Sequence, residues 1–150
     1  MNVKNMIKLR KELAKLSASK FKMTSYMDVD LLPNGKVPPK KVMIDKSCGT
    51  VGCIAGWCQV LLPGGPKWKS KDLEGMLSRN AFTVASNQLD LSIQEANALF
   101  KGFWPLKILS ELDYGNLNDF DRLPAKKRKS IILKVLDYII ANGFDWFEIW

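Results

Sequence analysis

Residues 48–62 read Cys48-Gly49-Thr50-Val51-Gly52-Cys53-Ile54-Ala55-Gly56-Trp57-Cys58-Gln59-Val60-Leu61-Leu62, and Pro63-Gly64-Gly65-Pro66 follows at once. No charge interrupts the stretch, so a helix here is apolar on every side and belongs inside a core. Thr50 is the expected N-cap and the Pro-Gly run the stop, which predicts a buried central helix of about three turns. Gly52, Ala55 and Gly56 give it a small-residue surface. Each glycine costs a helix interior ~0.8–1 kcal/mol, so another segment is expected to press closely on this backbone.

The neighbouring segments supply partners for such a helix. Met6, Leu9, Leu13 and Leu16 follow i, i+3, i+7, i+10 and predict an amphipathic helix from Val3 to Leu16. Lys4, Lys8, Lys11 and Lys15 repeat along another face, at about 0.2–0.5 kcal/mol per like-charged pair. Residues 17–47 carry Pro33, Asn34-Gly35 and Pro38-Pro39, and read as a long loop or a small hairpin within 25–46; Val42 and Ile44 allow a short strand. Beyond the basic link Lys67, Lys69 and Lys71, short helices are expected over Asp72–Leu77 and Ala81–Leu89. Ser92-Ile93-Gln94-Glu95 fits a capping box for the next helix. Pro105 opens another element, which Tyr114-Gly115-Asn116 ends. Ile131, Ile132, Val135, Leu136, Ile139 and Ile140 mark a last helix from Pro124 to about Asn142, with Gly143 at its C-prime position. The chain is therefore expected to be mainly α: one domain over residues 1–150, about six helices bundled around a buried central helix, with a small β-hairpin and an aromatic tail at 144–150.

Composition narrows the chemistry. Of 150 residues, 47% are hydrophobic and 25% charged, which is ordinary for a globular chain. Lys4, Lys8, Arg10 and Lys11 stand where a secretory leader needs apolar residues, so a cytoplasmic protein is expected. No histidine is present, which removes Ser-His-Asp and Cys-His catalysis and His-ligated zinc; no enzyme and no cofactor is expected. Cys48, Cys53 and Cys58 are spaced by five, so on a helix successive thiols diverge by about 140° instead of converging on a metal. Cys53 and Cys58 read as buried small hydrophobes, while Cys48 at a helix start reads as a potentially reactive thiol. Asp113, Asp119 and Asp121 do not match a calcium loop and read as loop solubility. The net charge is +8, all of it in residues 1–75, with residues 76–150 balanced. Such a chain attracts phosphates, acidic proteins or anionic membrane.

Two places fit that attraction. Gly49, Thr50 and Gly52 at a helix N-terminus would present free backbone N–H groups to an anion, with Lys40, Lys41 and Lys46 as added charge. Alternatively, Ala85-Ser86, Leu89-Asp90-Leu91-Ser92, Ala96 and Leu99 follow the rhythm of a helix-turn-helix, although Asp90 stands where glycine is usual. Gln94, Asn97 and Lys101 would then face bases, and Lys126, Lys127, Arg128 and Lys129 would meet phosphates. A third option is the apolar tail Trp146, Phe147, Ile149 and Trp150, suited to self-association or to inhibiting a partner protein directly.

Taken together, Cys48-Gly49-Thr50-x-x-Cys53-Ile54-Ala55-Gly56, Phe21-x-Met23, Leu89-x-Leu91-Ser92-x-x-Glu95-Ala96-x-x-Leu99-Phe100, Trp104-Pro105 and Asp137-Tyr138-Ile139-Ile140-Ala141-Asn142-Gly143 resemble a family of small phage and bacterial proteins. The likeness covers about residues 3–143. Trp57 stands where many relatives carry histidine, and Asp90 where they carry glycine. The resemblance implies a phage-type, intracellular setting and brings no activity with it. The expectation is a non-enzymatic accessory protein that binds an anionic partner, such as a nucleotide immune signal or a host defence component, with a nucleic-acid-binding regulator as the alternative.

Overall fold

The computed structural model describes residues 1–104, 108, 110 and 117–145. In chain order these form α1 (Val3–Lys15), β1 (Met27–Asp28), α2 (Lys40–Met43), β2 (Val51–Gly52), α3 (Ile54–Leu61), α4 (Leu73–Arg79), α5 (Ala81–Leu89), α6 (Ile93–Phe100) and α7 (Ala125–Asn142), with 3-10 turns at Ala18–Lys20 and Leu117–Arg122. The mainly helical bundle with a small antiparallel sheet is as expected, with seven α-helices among the described residues. Residues 105–107, 109, 111–116 and 146–150 lie outside that set, and with them most of the element that begins at Pro105 and the aromatic tail. Among the described residues no helix is long and apolar enough to cross a membrane.

The central helix starts later than its sequence suggests. α3 begins at Ile54 with Cys53 as its N-cap, so it has about two turns. The β-branched residues Thr50 and Val51 favour extended backbone, and Val51–Gly52 becomes β2. Its partner is β1, antiparallel, in the register Met27↔Gly52 and Asp28↔Val51. The hairpin expected within 25–46 is therefore replaced by a pair whose second strand comes from the glycine-rich stretch. Val42 and Met43, where a strand was expected, belong instead to α2, a single turn that follows Pro39 and buries Met43.

The small-residue surface is used as expected. A Cβ on Gly52 would stand 2.9 Å from both the Tyr26 carbonyl oxygen and Met27 Sδ. A Cβ on Gly56 would overlap the Tyr26 carbonyl oxygen outright. β1 thus crosses the first turn of α3 at a distance only glycine permits, and the Cys53 N–H donates to Tyr26 O at 3.2 Å. Behind this crossing, Ile54, Ala55, Trp57, Cys58 and Val60 are buried, and α3 packs chiefly on α5 with α1, α4 and α6 around it. α7 lies along α1, burying Ile131, Ile132, Val135, Leu136 and Ile139.

Several buried N–H donors find backbone carbonyls. Trp57 Nε1–H donates to Lys20 O at 3.0 Å, Gln59 Nε2 to Leu77 O at 2.7 Å, and Trp104 Nε1–H to Leu99 O at 3.0 Å. The capping box is formed: the Glu95 N–H donates to Ser92 Oγ and the Ser92 N–H to Glu95 Oε2.

The crossing of β1 over α3 can be tested against a glycine that has room. Gly56→Ala is expected to lower unfolding stability by about 3 kcal/mol in urea titration, since the Tyr26 carbonyl must move. Gly35 has φ +77° and nothing within 4 Å of a built Cβ. Gly35→Ala is expected to cost about 1 kcal/mol, from backbone strain alone.

Candidate functional site

Because α3 begins at Ile54, Gly49, Thr50 and Gly52 do not form a helix N-terminus. Their polar groups are occupied inside the fold. The Gly49 N–H donates to Asp30 Oδ2 at 2.8 Å, and the Asp30 N–H donates to Thr50 Oγ1 at 2.9 Å. Gly52 O accepts from the Lys22 N–H at 3.1 Å, and Thr50 is fully buried. The segment does hold an anion, but it is the chain's own Asp30 carboxylate. Lys40 stacks over the Trp68 ring at 4.9 Å, and Lys41 and Lys46 are exposed. Among the described residues none of these three lysines bonds to residues 49–52.

The cation that does meet this region is Lys20, which its place in the sequence gives no reason to select. It is 1% exposed, and its ammonium donates to Met43 O at 3.0 Å and to Cys48 O at 2.5 Å. Burial lowers its pKa below the ordinary 10.5, with Cys48, Asp45 and Asp30 pulling the other way. Lys20 therefore pins the 3-10 turn at Ala18–Lys20 to the segment between α2 and β2. Cys53 and Cys58 are the buried hydrophobes expected. Burial pushes the Cys53 thiol up to about 11, against the N–H groups of Gly56 and Ala55, and pushes Cys58 further in the same direction. Cys48 is partly exposed, with Sγ 3.3 Å from Thr50 Oγ1.

A larger feature emerges where α1 meets α7. α1 carries Lys4, Lys8, Arg10, Lys11 and Lys15 against Glu12, and α7 carries Lys126, Lys127, Arg128, Lys129 and Lys134 against Asp137. Together these two helices hold the chain's whole net charge of +8, and the rest is balanced. Counting by halves hides this, because the acids of residues 76–150 cancel α7 on paper while the fold lays α7 beside α1. Lys4, Lys8, Lys11 and Lys15 are exposed, on the side of α1 opposite Met6, Leu9 and Leu13.

The cations of this surface divide by what they touch. Arg10 holds Asp137 with two parallel bonds, Nε–Oδ1 at 2.7 Å and Nη2–Oδ2 at 2.9 Å. Lys129 Nζ donates to the carbonyls of Ala14 and Leu16, both at 2.7 Å, and so caps the end of α1. Arg128 Nη1 donates to Asp121 O at 2.7 Å. Two members of the run Lys126–Lys129, expected to be phosphate contacts, are thus tied into the fold. Lys126 and Lys127 make no ion pair among the described residues, and neither do Lys4, Lys8 and Lys11. Between the helices lies an open groove of about 350 Å³, where Arg10, Lys126, Lys129, Ser130, Lys134 and Asp137 surround Leu133.

Asp121 was expected only to make a loop soluble, yet it accepts from the N–H groups of Met23 and Thr24 at 2.8 and 3.1 Å and from Thr24 Oγ1 at 2.6 Å. No local pattern marks it, since its partners lie nearly a hundred residues away. Gln94 and Lys101 are exposed on α6, and Asn97 is half-buried. Among the described residues no group of three His, Cys, Asp or Glu side chains is placed to hold a metal ion. No protein-family model, curated protein or solved structure matches the chain.

Two measurements check these placements. One thiol, that of Cys48, is expected to react with a disulfide reagent in the native protein, and all three after denaturation. For Lys20, a folded-state pKa below 10.5 means that the unfolded chain binds this proton more tightly. Stability relative to Lys20→Met is therefore expected to rise as pH climbs towards 10.5, and urea titrations at about pH 8 and about pH 10 read the difference.

Proposed function

We propose that this chain is a non-enzymatic accessory protein of phage type that acts by holding an anionic partner on the α1/α7 face. The observation that carries this reading is the concentration of the entire net charge of +8 on two adjacent helices. Electrostatic cost points the same way. Lys4, Lys8, Lys11 and Lys15 repel one another along α1, and Lys126 and Lys127 oppose the positive dipole end of α7. An external anion relieves both.

The spread of the charge favours an extended partner over a compact nucleotide signal. Lys4 to Lys15 covers about 16 Å at the rise of an α-helix, several phosphate spacings of a nucleic-acid strand. Gly49, Thr50 and Gly52 have no part in this reading, since the Gly49 N–H is held by the Asp30 carboxylate, Thr50 Oγ1 accepts from the Asp30 N–H, and Gly52 lies in β2. The resemblance to small phage and bacterial proteins supports the setting, with a component of the host as the partner.

Binding of a labelled nucleic acid or of heparin, followed by fluorescence anisotropy, tests the proposal. With about five phosphate contacts, affinity is expected to fall roughly 10²- to 10³-fold between about 50 and 200 mM salt. Lys8→Glu/Lys11→Glu is expected to weaken binding at least tenfold without lowering the melting temperature, because it also removes like-charge repulsion on α1. Saturable, salt-insensitive binding of a single nucleotide, with no affinity for polyanions, overturns the reading.

A further inference from the structure

We infer that α5 and α6 form a helix-turn-helix and that the polyanion held by the α1/α7 face is duplex DNA, with the outer side of α6 reading base edges in the major groove. The inference rests on the anion-binding reading above and names its partner.

The turn has the geometry such a unit needs. Asp90 takes the left-handed conformation, φ 51° and ψ 56°, at the position where glycine is usual, and it is the one non-glycine residue with positive φ among those described. Asp and Asn are the residues that tolerate this region best after glycine. The Leu91 N–H donates to Ser86 O at 2.9 Å and the Asp90 N–H to Asn87 O at 3.2 Å, which closes α5 and sends the chain into α6. Ala85, Leu89, Ala96 and Leu99 are buried between the two helices and the core.

What this leaves outside is suited to base edges. Ile93 is 74% exposed and Gln94 and Lys101 are exposed, with Lys101 Nζ 5.7 Å from the centre of the Phe82 ring. The carboxamide oxygen of Asn97, one turn after Ile93, is buried, which leaves Gln94 as the amide that faces outward. A carboxamide can bond both N6 and N7 of adenine, and an aliphatic tip can meet the thymine methyl. The one acid on α6, Glu95, is held in the capping box and bonds the Ser92 N–H. Asp90 would repel phosphate, but the Met1 α-amino group stands 3.7 Å from its carboxylate.

The basic helix is moored at this turn. The Asn2 N–H donates to Leu89 O at 2.6 Å and Asn5 Nδ2 to Gln88 O at 2.7 Å. The lysine stripe of α1 therefore begins beside the end of α5, where phosphates flanking an inserted α6 would pass. The charge of α1 positions a duplex and α6 reads it, the usual division between phosphate and base contacts.

The test is selection from a pool of random duplexes with the full chain at about 100 mM salt, followed by anisotropy on the enriched and a scrambled duplex. An enriched core site containing A·T pairs is expected. Gln94→Ala and Ile93→Ala are each expected to reduce the preference for enriched over scrambled duplex roughly 5- to 100-fold, at an unchanged melting temperature. Lys8→Glu/Lys11→Glu is expected to weaken both duplexes. If heparin and random duplex bind with a steep salt dependence but no sequence is enriched, the helix-turn-helix reading is overturned while the anion-binding face stands. A preference for single strands over duplex overturns it as well. Loss of every polyanion, even at about 50 mM salt, removes the anion-binding face too.

Discussion

The contact on which this fold turns is made without side chains. The backbone of β1 crosses the start of α3 so closely that the Tyr26 carbonyl oxygen occupies the space a Cβ on Gly56 would need, and Gly52 is nearly as tight. With β1 held there, the segments on both sides of it are drawn against the core. Asp30 reaches the Gly49 N–H and Thr50 Oγ1, Lys20 reaches the carbonyls of Met43 and Cys48, and Trp57 donates back to Lys20 O. A stretch rich in proline and glycine thereby becomes a lid of hydrogen bonds over an apolar helix. Leaving those polar groups unpaired would cost about 1–3 kcal/mol each, so the lid is constrained by what it covers.

That constraint also redirects the functional reading. Glycines ahead of an apolar helix resemble an anion cradle in one dimension; in three, Gly49 is held by an internal carboxylate and Gly52 by a strand. The charge that remains unanswered lies elsewhere, on α1 and α7, which are far apart in sequence and adjacent in space. Within that surface the fold separates cations that hold the structure (Arg10 on Asp137, Arg128 on Asp121 O, and Lys129 on the last carbonyls of α1) from those that face solvent. Substituting the first group would disturb packing as well as charge, and only the second group reports on binding alone.

Local patterns in the chain account for much of this. The periodic apolar faces of α1 and α7, the capping box of Ser92 and Glu95, the stop at Pro63 and the need for a close neighbour at Gly52 and Gly56 all follow from interactions within a few residues. α3 starts later than its sequence suggests because Thr50, chemically able to cap a helix, instead leads into a strand. Nothing nearby shows that Val51 has a strand partner at Asp28, since pairing across more than twenty residues leaves no periodic trace. The roles of Asp121 and Lys20 are illegible in the sequence for the same reason, their partners lying in distant segments. Asp90 is the intermediate case: its sequence argues mildly against the turn, and the turn forms because aspartate accepts left-handed backbone when the helices on either side are buried.

Residue order alone settles the class of this protein, because a helix period, a cap and a breaker are properties of neighbours along one chain. It also settles that the molecule is basic and that histidine chemistry is closed to it. Which cations act together, and which glycine N–H groups stay free, depends on the approach of segments that the chain keeps apart. Coulomb interactions and hydrogen bonds act through space, so α1 and α7 become one surface, and Gly49 loses its donor to Asp30, only when packing around α3 has set the distances.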